Sequence, residues 1–146
     1  MIKNERQYRI TKNQAERFSQ TLASLRQRSG ETEGVHPVIA KARENAVRSQ
    51  LADLEEQLRE YESLKAGNFE IKDLNVVADL PATLIKARIS QGLSQKDLAE
   101  RLSLKEQQIQ RYEATDYASA SLSRITEVVC ALGVEANTAA PTTGSR

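Results

Sequence analysis

The chain has 146 residues, enough for one ordinary domain or two small ones. Charged residues make up 28% and aromatics 4%, with no Trp, which argues against the β-branched and aromatic-rich pattern of a sandwich or barrel and for an all-α fold. The formal net charge of +1 excludes inferring nucleic-acid binding from bulk charge, and a lone Cys130 excludes an internal disulfide and a cysteine-rich zinc site. No apolar run approaches the ~20 residues of a membrane span and no signal-peptide core is present, so the expectation is a cytoplasmic protein with no membrane partner.

Residues 1–10 are polar and are expected to form a flexible arm. Its cations, with Lys12 just beyond, are Lys3, Arg6, Arg9 and Lys12; they suit either phosphate contacts or a solvated tail. A helix is then expected to open at Thr11, with Gln14 reaching back in a capping box. Ala15, Phe18, Leu22 and Leu25 follow at helical spacing and form one apolar stripe, which ends near Arg28. Residues 29–34, "SGETEG", have the composition of a loop.

A long helix is expected next. Pro37 suits a first helical turn, and His36 before it has no second His or nearby Cys to make a metal site. Val47, Leu51, Leu54, Leu58 and Tyr61 alternate at four and three residues, a heptad seam flanked by charges, and Gly67 with Asn68 supplies the stop. Residues 11–66 thus read as a coiled-coil-like helical hairpin. Two helices with so narrow a stripe need a third surface, either the C-terminal half or another copy of the chain. Self-association is favoured, with Phe18, Leu22, Leu25, Leu51, Leu54 and Leu58 as the dimerisation residues. Residues 67–80 are a connector in which "FEIKDL" suits a short strand or an irregular segment equally. Residues 135–146 are small and polar with no apolar face and are expected to be disordered.

Between Pro81 and Gly133 there are four short helical patterns. The first carries Leu84, Ile85 and Ile89. The second opens with a capping box, Ser94 and Asp97, and buries Leu98, Ala99 and Leu102. The third buries Ile109 and Tyr112, and the fourth Leu122, Ile125, Val128, Val129 and Leu132, with Cys130 expected in the core beside them. About two residues join the second pattern to the third, which forces a sharp crossing. Gln95, Ala99 four residues on, a turn at Ser103 and Ile109 six beyond that have the spacing of a helix-turn-helix.

Residues 81–133 resemble the Xre, or lambda-repressor-like, DNA-binding domain, a bundle of four or five helices. "LSQKDLAERL" and "QQIQRYE" carry the resemblance, which spans a little over a third of the chain. It implies that the helix 105–113 lies in the major groove of double-stranded DNA. It further implies Gln95 on phosphate, Lys105, Glu106, Gln107, Gln108 and Arg111 along the reading face, and backbone contacts at Ser94, Lys96, Tyr117 and Ser119. Turn and helix-capping roles are the alternative for Tyr117, Ser119 and Ser121. Arg88 and Glu113 correspond to a pair that bridges the first and third helices of such domains. One departure is Ser103, where the family usually has Gly at a left-handed turn; the cost relative to Gly is on the order of 1 kcal/mol. "SLKE" also offers the competing geometry of a cap at Ser103.

The residue types on the third helix fit base readout. Gln bonds bidentately to adenine N6 and N7, and Arg to guanine O6 and N7. Gln107 and Arg111 are four apart, on one face. No Gly-rich phosphate loop, paired nucleophile and base, or metal-ligand cluster is present, so neither an enzyme nor a cofactor is expected. The expected function is a dimeric, sequence-specific DNA-binding regulator, a repressor that reads a palindromic operator through two half-sites. The alternative is an antitoxin, such as the HigA-type proteins, whose hairpin or connector grips a toxin. A third reading is a protein–protein adaptor with a vestigial helix-turn-helix.

Overall fold

The computed structural model describes residues 1–28, 36–69 and 79–134. These residues form six α-helices and no strand: α1 (Glu5–Arg28), α2 (Pro37–Lys65), α3 (Leu80–Ser90), α4 (Gln95–Arg101), α5 (Glu106–Ala114) and α6 (Leu122–Leu132). The fold is all-α. The chain divides into two compact units, Met1–Phe69 and Glu70–Arg146.

In the first unit α1 and α2 form an antiparallel hairpin, with Tyr8 beside Tyr61 at one end and Arg26 bonded to Glu44 further along. The expected arm and the cap at Thr11 are both overturned, because α1 already begins at Glu5. Asn4 Oδ1 accepts the Gln7 N–H at 2.9 Å and Gln7 Oε1 accepts the Lys3 N–H at 2.8 Å. Asn4 thus caps the helix, seven residues upstream of the expected Thr11, while Gln7 reaches back one residue beyond the cap to Lys3. Side chains from α2 hold the extra turns. Tyr8 and Tyr61 stack with ring centroids 5.2 Å apart, Tyr8 donates to Glu62 Oε1 at 2.6 Å, and Tyr61 donates to Glu5 Oε2 at 3.2 Å. Thr11 and Gln14 lie inside the helix.

The apolar stripe is largely covered within one chain. Ala15, Leu22, Tyr61 and Leu64 are buried, and Phe18, Leu25, Val47, Leu51, Leu54 and Leu58 are half-buried. None of the six residues assigned to dimerisation is exposed. The exposed large apolar residues of this unit are Met1, Ile10, Val38 and Ile39. α2 begins at Pro37, with His36 Nδ1 accepting the Val38 N–H, and ends where Gly67 takes a φ of 85° and Asn68 N–H bonds back to Ser63 O. The loop 29–34 falls within 29–35, and most of the connector within 70–78, both outside the described residues; so does the tail 135–146.

In the second unit the core is built from Leu84, Ile85 and Ile89 of α3, Leu98 and Ala99 of α4, Ile109 of α5, and Val128 and Leu132 of α6. α4 packs on α5 and α3 on α6. The last pair is tied by Gln91 Nε2, which donates to Leu132 O at 2.6 Å. Two expectations for α6 fail. Leu122 is 80% exposed, and Cys130 is exposed rather than core. At 3.6 residues per turn Cys130 stands roughly 200° around the helix from the buried Val128, on its opposite side. Leu122 is likewise off the Val128–Leu132 stripe, at the first residue after the cap Ser121. Ile125, Val129, Leu102 and Tyr112 are half-buried.

Candidate nucleic-acid interface

The interface is set up by the break between α4 and α5. α4 starts at Ser94, whose hydroxyl accepts the Asp97 N–H at 3.0 Å while Asp97 Oδ2 accepts the Ser94 N–H at 2.8 Å. The Ser94 N–H above all, then the Ser94 hydroxyl and the nearby Lys96 and Arg101, hold the Asp97 carboxyl below the ordinary carboxylate range. α4 ends at Arg101 with Leu102 as its C-cap, and Ser103 after it takes a φ of 55°. Its N–H bonds to Glu100 O at 3.2 Å and the Leu104 N–H reaches Ala99 O at 2.8 Å. That is the bond pattern of a left-handed helix stop, normally made by Gly. The competing cap at Ser103 is not formed, because α5 is capped from Lys105. The turn holds without Gly because the buried Ala99 and Ile109 on its two sides leave the chain one way to pass.

α5 closes in the same manner without a Gly. Asp116 and Tyr117 have φ values of 48° and 60°, and the Tyr117 N–H bonds to Tyr112 O at 2.7 Å. Asp tolerates this conformation better than most residues. The loop that follows turns Tyr117 inward: the residue is buried and its ring stacks on Tyr112 at 6.2 Å. Burial and the neighbouring Glu113 charge push its phenol far above the ordinary value. Among the described residues, its hydroxyl is the buried side-chain polar atom with no hydrogen-bond partner.

Beneath α5 lies a buried polar network. Glu113 accepts from Arg88 Nε at 2.6 Å and Arg88 Nη2 at 2.9 Å, and from Gln95 Nε2 at 2.7 Å. Arg88 Nη1 continues to Leu93 O at 2.7 Å. All three side chains are buried. The network connects the ends of α3 and α4 to α5. It sets where α5 sits relative to the two helices before it.

The expected site residues thus divide into two groups. Ser94, Lys96, Lys105, Glu106, Gln107, Gln108, Arg111 and Ser119 are exposed. Gln95 and Tyr117 are drawn inward, at 7% and 3% exposure, so the first supports α5 through Glu113 and the second packs under it. Gln108 has a local duty, since its Oε1 accepts the Lys105 N–H at 3.1 Å. Ser119 Oγ is 2.8 Å from Thr115 Oγ1.

One residue of α5 escaped the sequence reading. Gln110 is exposed, and its Nε2 donates to Glu106 Oε1 at 3.1 Å. On α5 it lies roughly 60° around the axis from Gln107 and as far on the other side from the buried Glu113, at the flank of the exposed face. The signal was its spacing of three from Gln107 and four from Glu106. The outward face of α5 is therefore Gln107, Gln108 and Arg111, with Gln110 at its flank. Its donors and acceptors are of the kind that read base edges in a major groove.

Comparison with known proteins agrees with this geometry. Residues 84–137 match the helix-turn-helix family model, of the Xre, or lambda-repressor-like, class. No curated protein and no solved structure matches the chain. Among the described residues, no group of three His, Cys, Asp or Glu gathers as for a metal, and no helix is long and apolar enough to cross a membrane.

Proposed function

Because residues 84–137 carry a helix-turn-helix DNA-binding domain, we propose that the chain is a dimeric repressor that reads a palindromic operator with α5 in the major groove. The observation that carries the reading is the face of α5. Two exposed side chains able to bond base edges, Gln107 and Arg111, stand opposite the fully buried Ile109 and Glu113, with the exposed Gln110 at the flank. A helix that was merely solvated would be better served by Lys and Glu on that side. In this reading Arg111 takes a guanine through O6 and N7, and Gln107 an adenine through N6 and N7. Gln110 holds Glu106 in place beside them. The exposed Ser94, Lys96, Lys105 and Ser119 surround this face and bond phosphates, and Gln95 positions α5 from below.

One such domain spans only a few base pairs, so useful specificity needs two. The half-buried Phe18, Leu25, Leu51, Leu54 and Leu58 of the hairpin favour a second copy, since further cover would remove more apolar surface from water. The test is selection of bound duplexes from a random DNA library by the full chain. The expected product is a palindrome whose half-sites lie about one helical turn apart, ~34 Å. Recovery of no enriched sequence would overturn the reading. Enrichment of a single half-site by a monomeric protein would leave the hairpin to a protein partner such as a toxin.

A further inference from the structure

The charge of this chain is distributed unevenly. Residues 80–134, the helices of the second unit, have seven cationic residues against six acidic ones. Several are already committed: Arg88 to Glu113, Arg124 to Glu127, and Arg101 to Ala131 O. A DNA-binding unit with so little spare positive charge has a weak hold on a polyanion. The surplus sits in α1, where six cationic residues face two acidic ones, whereas α2 has five against six.

The arrangement on α1 is regular. Arg6, Arg9 and Arg17 are exposed, and they share the helix's outward side with the exposed Asn13 and Gln20. That side is opposite Ala15 and Leu22, which are buried. None of the three arginine side chains has an ion pair or hydrogen bond among the described residues. One of the two acids is turned away from them, since Glu5 Oε2 accepts from Tyr61 OH of α2. The other, Glu16, lies at the margin of the face. Because residues 5–10 are helix and not a loose arm, Arg6 and Arg9 are held in register with Arg17 along about 16 Å, at 1.5 Å per residue. Arginines flanked by Asn and Gln, with the half-exposed Ile10 as the large apolar side chain beside them, suit phosphate oxygens better than a protein core.

We propose that the outer face of α1, through Arg6, Arg9 and Arg17, is a second DNA-contacting surface that binds duplex phosphates without reading sequence. The occupant is the DNA backbone, by complementarity of charge. This rests on the operator-binding reading, and it adds that the hairpin supplies affinity where α5 supplies specificity. Fixing the arginines on a packed helix lowers the ordering cost each contact pays.

The test is the salt dependence of binding to the selected operator, by the full chain and by the full chain with Arg6→Gln, Arg9→Gln and Arg17→Gln together. All three positions are exposed, and an unchanged helical circular dichroism spectrum and melting temperature verify that the variant is folded. Each phosphate contact contributes about 0.9 to the slope of log K against log salt. The expected result is a slope lower by about 2 to 3, an affinity at least tenfold weaker at 0.1 M salt, and the same preferred sequence. A folded triple variant with the parent's slope and affinity would overturn the proposal while leaving the reading of α5 intact. A parent chain that retains no DNA at low salt would overturn both.

Discussion

Arg88 and Glu113 meet in a two-point pair, Nε to Oε1 at 2.6 Å and Nη2 to Oε2 at 2.9 Å, and neither side chain reaches solvent. The carboxylate has a third donor in Gln95, so its charge is fully answered within the fold. Breaking such a pair from one side leaves a buried charge alone, at about 3–5 kcal/mol. Glu113→Leu is therefore expected to destabilise the second unit by that amount in urea unfolding. Adding Arg88→Met should restore most of the loss, because no uncompensated charge then remains. Equal destabilisation by the single and the double variant would mean that packing, and not charge, is what the pair supplies.

Ser103 stands at a φ of 55°, a conformation that costs a residue with a side chain on the order of 1 kcal/mol relative to Gly. Ser103→Gly is expected to be neutral or to raise the melting temperature. Ser103→Val is expected to lower it clearly, since a β-branched residue is worse still at positive φ. Both melts are compared at one protein concentration. A Gly variant that melts well below the parent would remove the strain argument.

On the outward face of α5, Arg111→Ala and Gln107→Ala should each lose roughly 1–3 kcal/mol of operator affinity and relax the preference at one base step. Binding to unrelated duplex DNA should change less. Titration of operator and scrambled duplexes with each variant reads both effects. Unaltered operator affinity in both variants would place the reading face elsewhere.

The cap of α4 gives a pH-dependent contribution with a definite sign. The Ser94 N–H and hydroxyl hold the Asp97 carboxyl below its unfolded value, so the group favours the folded state while it is ionised. That contribution is present above the ordinary carboxylate range and is lost as pH falls through the depressed folded value. Asp97→Asn, which cannot ionise, is expected to flatten this acid limb in a melting-temperature series from pH 6 down to pH 2. A parent and variant that lose stability in parallel over that range would exclude the cap as its source.

The hairpin seam is tested within the first unit. Leu54 and Leu58 are half-buried, and burying one Leu contributes ~1.5–3 kcal/mol. Leu54→Glu with Leu58→Glu should cost the first unit helical signal and dissociate the dimer in sedimentation. The compact second unit should keep its own melting transition. A fragment starting near residue 68 should sediment as a folded monomer. A parent chain that is already monomeric would rule out the seam as a dimer interface.

What the sequence by itself determined was much of what is set within one or two helical turns. The Ser94–Asp97 box, Pro37 and Pro81 at helix starts, the stop at Gly67 and the buried Leu98, Ala99 and Ile109 each follow from neighbours three to six residues away, and each is where the spacing places it. The break at Ser103 and the face of α5 belong to the same class, and so the helix-turn-helix was legible. Tertiary structure decided whatever depends on a partner far along the chain. The helix through residues 5–10 is held by Tyr61 and Glu62, more than fifty residues away. Gln95 points inward because Glu113 waits there, and Tyr117 because the turn after α5 swings it under Tyr112. Leu122 and Cys130 are apolar residues that α6 presents to water, because the helix can offer only one side to α3 and Val128 and Leu132 occupy it. Periodicity finds the faces of a helix, but which face is covered depends on where the other helices lie.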